Sequence, residues 1–199
     1  MNEKTKPNTP AAKPAAPRAF APCPPFLPSD VALSCTHVDE KGVTLRLWPR
    51  VESVCGMLNV SYGPDGWVTR HYACGRALYC GLGVRMDNAP GDGLFFRDAP
   101  CPSTYNLGAD PAQREADGSF VAAAAMWGFG AGLLRMPDIF IPAGQVQVNP
   151  VAGPDGRTIR SYVLGERLTV DQIGYDVDGQ VEAVQIVRAT GGKVLWKRN

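Results

Sequence analysis

Residues 110–138 read DPAQREADGSFVAAAAMWGFGAGLLRMPD, and no other stretch constrains the fold as much. Four consecutive alanines at 122–125 favour helix. Gly128, Gly130 and Gly132 follow at alternate positions, each costing about 1 kcal/mol in a helix interior. The pattern predicts one helix over 110–135, with Asp110 as N-cap and Pro111 at the first helical position. Glycines kept at that cost imply close packing against another backbone. On the residues alone this is a buried helix lying on a sheet.

The rest of the chain supplies the sheets. Residues 31–38 and 43–48 alternate as strands around an Asp39-Glu40-Lys41-Gly42 turn, which predicts a hairpin. Pro49 then sits where a helix tolerates proline best, and Val51, Val54, Cys55 and Leu58 form an apolar stripe at helical spacing. Residues 67–72, 77–86 and 94–97 read as three short strands, with Gly75 at the first turn and residues 87–93 (DNAPGDG) as a loop. Beyond Pro137, residues 146–151, 158–164, 167–175 and 181–189 are strand-like runs between Pro-Asp-Gly, Asp-Val-Asp-Gly and Thr-Gly-Gly turns. Residues 193–196 are expected to pair with 181–189. The fold class is α+β.

Residues 1–28 carry eight of the 18 prolines, with Lys4, Lys6, Lys13 and Arg18 against Glu3. Such a segment buries too little apolar area to offset its ordering entropy, so a disordered Pro/Ala/Lys-rich tail is expected. Its other reading is an arm along a neighbouring subunit or DNA. A domain at 29–138 and a β-rich extension of that domain at 139–199 complete the organisation. The tail carries +3 and the remainder −2, so any phosphate-binding surface requires charge segregation in three dimensions. No apolar run reaches the ~18 residues of a membrane span, and the leading lysines precede no apolar signal segment. An intracellular, soluble protein is expected.

Catalytic patterns are sparse. There is no Gly-x-Ser-x-Gly, no phosphate-binding glycine-lysine loop and no paired histidines, only His37 and His71. The six cysteines (Cys23, Cys35, Cys55, Cys74, Cys80, Cys101) include no Cys-x-x-Cys and read as reduced, mostly buried thiols. His71 and Cys74 can be drawn as a base and nucleophile, with no third group to orient them. No enzyme activity, metal or cofactor is expected. Trp67 and Trp127 are assigned to the core.

The run SFVAAAAMWGFGAGLLRMPD resembles the signature helix of the Rad-fifty-two-like single-strand annealing proteins of recombination, including their phage relatives. Upstream, Tyr62-Gly63-Pro64-Asp65-Gly66-Trp67 is similar to the turn that leads those proteins from a short helix into a β-hairpin. The resemblance spans residues 27–138 and implies a β-β-β-α annealase core, a three-stranded antiparallel sheet on a long helix. It implies a non-enzymatic protein that binds single-stranded DNA and anneals complementary strands as a homo-oligomeric ring or filament. A phage exonuclease or single-strand-binding protein would be its partner, and the bacterial cytoplasm its location. The family's basic pair is replaced here by Val121 and Ala122, and another cation by Ala131. Phosphate contacts therefore fall to arginines on or beside the sheet: Arg70, Arg76, Arg85 and Arg97, with Arg46 and Arg50 at the rim. Tyr79, with Tyr72, Phe95 and Phe96, supplies candidate stacking rings. The competing reading is a structural or interaction protein that kept this fold and lost the DNA groove.

Overall fold

Asp39 closes the first hairpin of the chain, its Oδ1 accepting the backbone N–H groups of Lys41 and Gly42 at 2.9 and 3.1 Å. The computed structural model describes residues 23–86 and 93–198. In it β1 (Val31–Asp39) and β2 (Gly42–Pro49) pair antiparallel, as the alternation predicts. A short strand that the sequence pattern does not reveal, β6 (Ile139–Pro142), adds to the far side of β2. Its four residues are too few to show a period.

Helix α1 (Val51–Tyr62) follows, burying Val54, Leu58 and Tyr62 at four-residue spacing. Pro49, expected at its first position, is instead the last residue of β2. The Arg50 N–H donates to the Asp30 carbonyl at 2.7 Å, which holds Arg50 extended as the N-cap. Strands β3 (Trp67–Cys74), β4 (Ala77–Arg85) and β5 (Leu94–Pro100) then form an antiparallel sheet in sequence order. Helix α2 (Pro111–Met126) lies across one face of it, packed on β4 and β5. Asp110 caps α2 by accepting the Ala112 N–H at 3.0 Å, and Pro111 is its first residue.

The expected continuous helix over 110–135 is corrected. It stops at Met126, turns through residues 127–130, and resumes as the short α3 (Ala131–Arg135). Gly128 and Gly130 have φ of 98° and 77°, a left-handed conformation that glycine adopts without cost and other residues resist. The break carries Phe129 into the core, where it is fully buried with its ring 6.1 Å from Tyr62. Gly132 does serve close packing: a β-carbon there would run into the Gly179 carbonyl.

The C-terminal strands are β7 (Val148–Ala152), β8 (Ile159–Leu164), β9 (Leu168–Tyr175), β10 (Val181–Arg188) and β11 (Val194–Arg198). β7 and β8 form a separate ribbon, while β10 lies between β9 and β11 in an antiparallel sheet. One apolar cluster runs from Leu45, Leu47 and Trp48 through Phe129 and Leu133 to Val184 and Ile186, so the extension shares the core of residues 29–138. The fold is α+β with antiparallel sheets.

The tail boundary expected at residue 28 is also corrected. Residues 1–22 lie outside the described residues, but Phe26 is only 3% exposed and its carbonyl accepts the Tyr175 hydroxyl at 3.1 Å. Among the described residues no helix is long and apolar enough to cross a membrane.

Burial pushes the Tyr105 phenol up to about 12, with nearby acidic groups adding to the effect. Burial does the same to Tyr175, also to about 12. Both groups keep their protons in the folded chain where an unfolded chain would lose them near pH 10. Their stabilising contribution is therefore present below pH 10 and is lost as pH rises towards 12. Two units correspond to roughly 2–3 kcal/mol for a buried group such as Tyr105. Titration of tyrosinate absorbance alongside circular dichroism should show unfolding and ionisation rising together above pH 10. Smooth ionisation of all tyrosines with no loss of structure would contradict this.

Candidate functional site

The sequence of β4 alternates in an unusual way: Cys80, Leu82 and Val84 are fully buried, while Gly81 and Gly83 occupy the intervening positions. Side chains alternate across a strand, so the first set faces α2 and the second faces away. Register extends the two faces to the neighbours. Val68, Arg70 and Tyr72 of β3 pair with Gly83, Gly81 and Tyr79, and Phe96 and Asp98 of β5 pair with Gly83 and Gly81. One face of the sheet therefore carries Val68, Arg70, Tyr72, Tyr79, Phe96 and Asp98, with Arg85 and Leu94 at one end.

This face has no helix on it, whereas α2 covers the other face over β4 and β5. Tyr72 is 40% exposed, and the Arg70 side chain 56%. The Tyr72 and Tyr79 rings stack, 5.8 Å apart and 21° from parallel. The Arg70 guanidinium carbon lies over the Phe96 ring, 3.9 Å from its centroid, and 5.9 Å from that of Tyr72. The glycines make this layer possible. A β-carbon at Gly83 would come within 2.7 Å of the Phe96 ring, and one at Gly81 would meet Asp98 and stand 2.9 Å from the Arg70 Nε. A strand glycine often marks such a close approach. Arg70 and Asp98 form an ion pair at 3.5 Å between their Nη2 and Oδ1 atoms. Partial desolvation first, and Asp98 second, hold the Tyr72 phenol above its ordinary value.

The structure divides the expected arginine set. Arg70 and Arg85 belong to the open face, and Arg76 stands in the exposed β3–β4 turn. Arg97 is corrected: it lies on the opposite face, donates to the Met126 carbonyl at 2.7 Å and stacks on Trp127 at 4.8 Å. There it caps the carboxyl end of α2, where a cation is favoured by the helix dipole. Arg46 and Arg50 are corrected as well, because neither borders the sheet. Arg46 donates to the Leu134 carbonyl at 3.2 Å and pairs with Asp138 at 3.4 Å, closing the end of α3. Arg50 donates from Nε to the Ser29 carbonyl at 2.9 Å and lines a cleft of about 480 Å³ between β1 and β9.

The aromatic set divides in the same way. Tyr72, Tyr79 and Phe96 share the open face, whereas Phe95 points to the helix side with its ring 6.2 Å from Trp127. Trp127 is buried, and its indole N–H donates to the Leu82 carbonyl at 3.0 Å, fixing the glycine turn to the sheet. Trp67 packs on Phe120 of α2, 6.2 Å between rings.

Asp98, Gly81 and Gly83 do not stand out in the sequence. The available signal is the alternation itself, since two glycines on one strand face leave room for a neighbour's side chains.

Other chemistry finds no geometry. His71 contacts the Ala116 carbonyl at 3.3 Å on the helix side, while Cys74, three residues on, belongs to the other face. The pair cannot act together. All six cysteines are unbridged; Cys80 alone is fully buried, Cys74 is exposed and the other four are half-buried, which corrects the expectation of mostly buried thiols. Burial pushes the Cys80 thiol up to about 11, so it is an inert core group. Among the described residues no cluster of His, Cys, Asp or Glu could hold a metal ion.

Comparison of the chain with protein-family models, with curated proteins and with solved structures finds no match.

Proposed function

We propose that the chain binds single-stranded DNA on the open face of β3-β4-β5 and promotes strand annealing without bond chemistry. The observation that carries the reading is the stacked Tyr72–Tyr79 pair beside the Phe96–Arg70 layer, on a sheet face that α2 leaves uncovered. Aromatic rings exposed on a sheet, with cations among them, suit bases that stack and phosphates that pass the edge. Every base has a flat face, so such a platform tolerates sequence, as annealing requires. The mechanism is one of holding: a strand is kept extended on the face while its bases stay open to a complementary strand. Repeating the face in a ring or filament would multiply a weak single site. A phage exonuclease or single-strand-binding protein would hand over such a strand.

A salt series of single-stranded DNA binding tests the proposal. The parent should lose affinity steeply with salt. Changing Arg70 and Arg76 together to alanine should reduce the slope by about 0.7 for each phosphate that is no longer neutralised. Arg97→Ala, removed from the far face, should lower stability and leave the slope unchanged. Binding that is absent, or indifferent to salt in the parent, would instead favour a structural protein on the same scaffold.

A further inference from the structure

The open face contains one group that a surface for phosphates should not have. Asp98 stands on β5 opposite Gly81, with its side chain over the central strand, paired with the cation Arg70 and bonded to the Tyr72 side chain. Its Oδ1 is buried against Gly81 and faces the Arg70 guanidinium at 3.5 Å, while the side chain as a whole is 33% exposed and also bonds the Tyr72 side chain. A carboxylate has about four lone-pair sites, more than these two neighbours engage, so the exposed part of this one can take a donor from a ligand. A carboxylate repels the phosphate backbone and accepts only from donors. The middle of this face is therefore set for bases, and phosphates belong at its perimeter, where Arg76 stands.

We infer that Asp98 gives this surface a base preference, for bases with an amino group on their major-groove edge. This rests on the proposed binding of single-stranded DNA. Cytosine presents its N4 amino group there and adenine its N6 amino group, whereas thymine presents only a carbonyl oxygen and a methyl group. A base stacked on Tyr72 or Tyr79 lies beside the Asp98 carboxylate. An amino hydrogen donated from the major-groove edge can bond the exposed part of that carboxylate and leaves the pairing edge open to a complementary strand. A thymine in the same place sets its O4 against the carboxylate. Gly81 makes the arrangement possible, because any side chain there would displace both Asp98 and Arg70.

Fluorescence anisotropy with labelled oligo(dC) and oligo(dT) of equal length, at one salt concentration, is the experiment. The parent is expected to bind oligo(dC) about tenfold more tightly, the scale of one hydrogen bond to a charged group. Asp98→Ala should bring the ratio close to one, chiefly by raising affinity for oligo(dT), since a negative charge is removed and Arg70 released. Equal binding of the two oligomers by the parent overturns the inference while leaving the DNA-binding reading intact. So does a preference that survives in Asp98→Ala. Failure of the parent to bind either oligomer overturns both. The comparison within the parent needs no variant, so a folding defect in Asp98→Ala does not remove the test.

Discussion

Gly130→Ala should destabilise the protein by about 1–3 kcal/mol, the scale of a residue held in an unfavourable backbone region. The sign of this effect is the informative part. In a continuous helix the same change would stabilise by about 1 kcal/mol, because alanine is the better helix former. Gly130 instead has φ of 77° and N-caps α3, with the Pro49 ring 2.8 Å from where a β-carbon would stand. Both the backbone and the neighbouring ring oppose a side chain. The adjacent Phe129→Ala should cost more, about 3–5 kcal/mol, since a fully buried ring leaves a cavity against Tyr62 and the core. Denaturant titrations of both variants, with unchanged m-values, would measure these losses. A stabilising Gly130→Ala would show that the helix runs through the glycines. The two effects should not add, because both residues belong to one turn.

Removing both open-face tyrosines should abolish most single-stranded DNA binding while sparing the fold. Stacking of a base on an aromatic side chain contributes about 1–3 kcal/mol by alanine substitution. The Tyr72→Ala, Tyr79→Ala double variant should therefore lose on the order of 100-fold in affinity. Its salt slope should stay near the parent's, because no cation has been removed. Tyr72 is 40% exposed and Tyr79 sits on the side of β4 away from the buried Cys80, Leu82 and Val84. Their loss opens no core cavity, so thermal unfolding should move little. Phe95→Ala is the control from the other face: its ring meets Trp127, and removing it should reduce stability without touching DNA affinity. Parallel affinity losses in the Phe95 and tyrosine variants would place binding elsewhere.

Both experiments separate what a strand or helix contains from where it points. Periodicity in the chain was enough for the first hairpin, α1, the three sheet strands and the later strands, because each carries its own alternation or stripe. Asp110 and Pro111 mark the start of α2 by local chemistry alone, and the Asp110 side chain does cap Ala112. The end of α2 was not legible. Alanines and glycines are compatible with either a helix or a turn, and the choice is made by Phe129 reaching the core and Trp127 bonding to Leu82. β6 depended on β2 to pair with, and Pro49 was claimed by the hairpin because Arg50 bonds to Asp30.

The candidate site shows the same division. Composition and order along the chain assembled arginines and aromatic residues around one sheet. A one-residue difference in parity then sends Arg70 and Phe96 to the open face, and Arg97 and Phe95 to the helix. That parity is set by which side of the sheet α2 covers. Cys80, Leu82 and Val84 supply the burial that chooses the side. Asp98 acquires meaning only across strands, opposite Gly81 and beside Arg70, which lie 17 and 28 positions away in sequence. By itself the sequence determined most of the elements, their order and the absence of familiar catalytic patterns. The tertiary structure alone decided which charges and rings share a surface, because facing is a property of packed layers and not of any one segment.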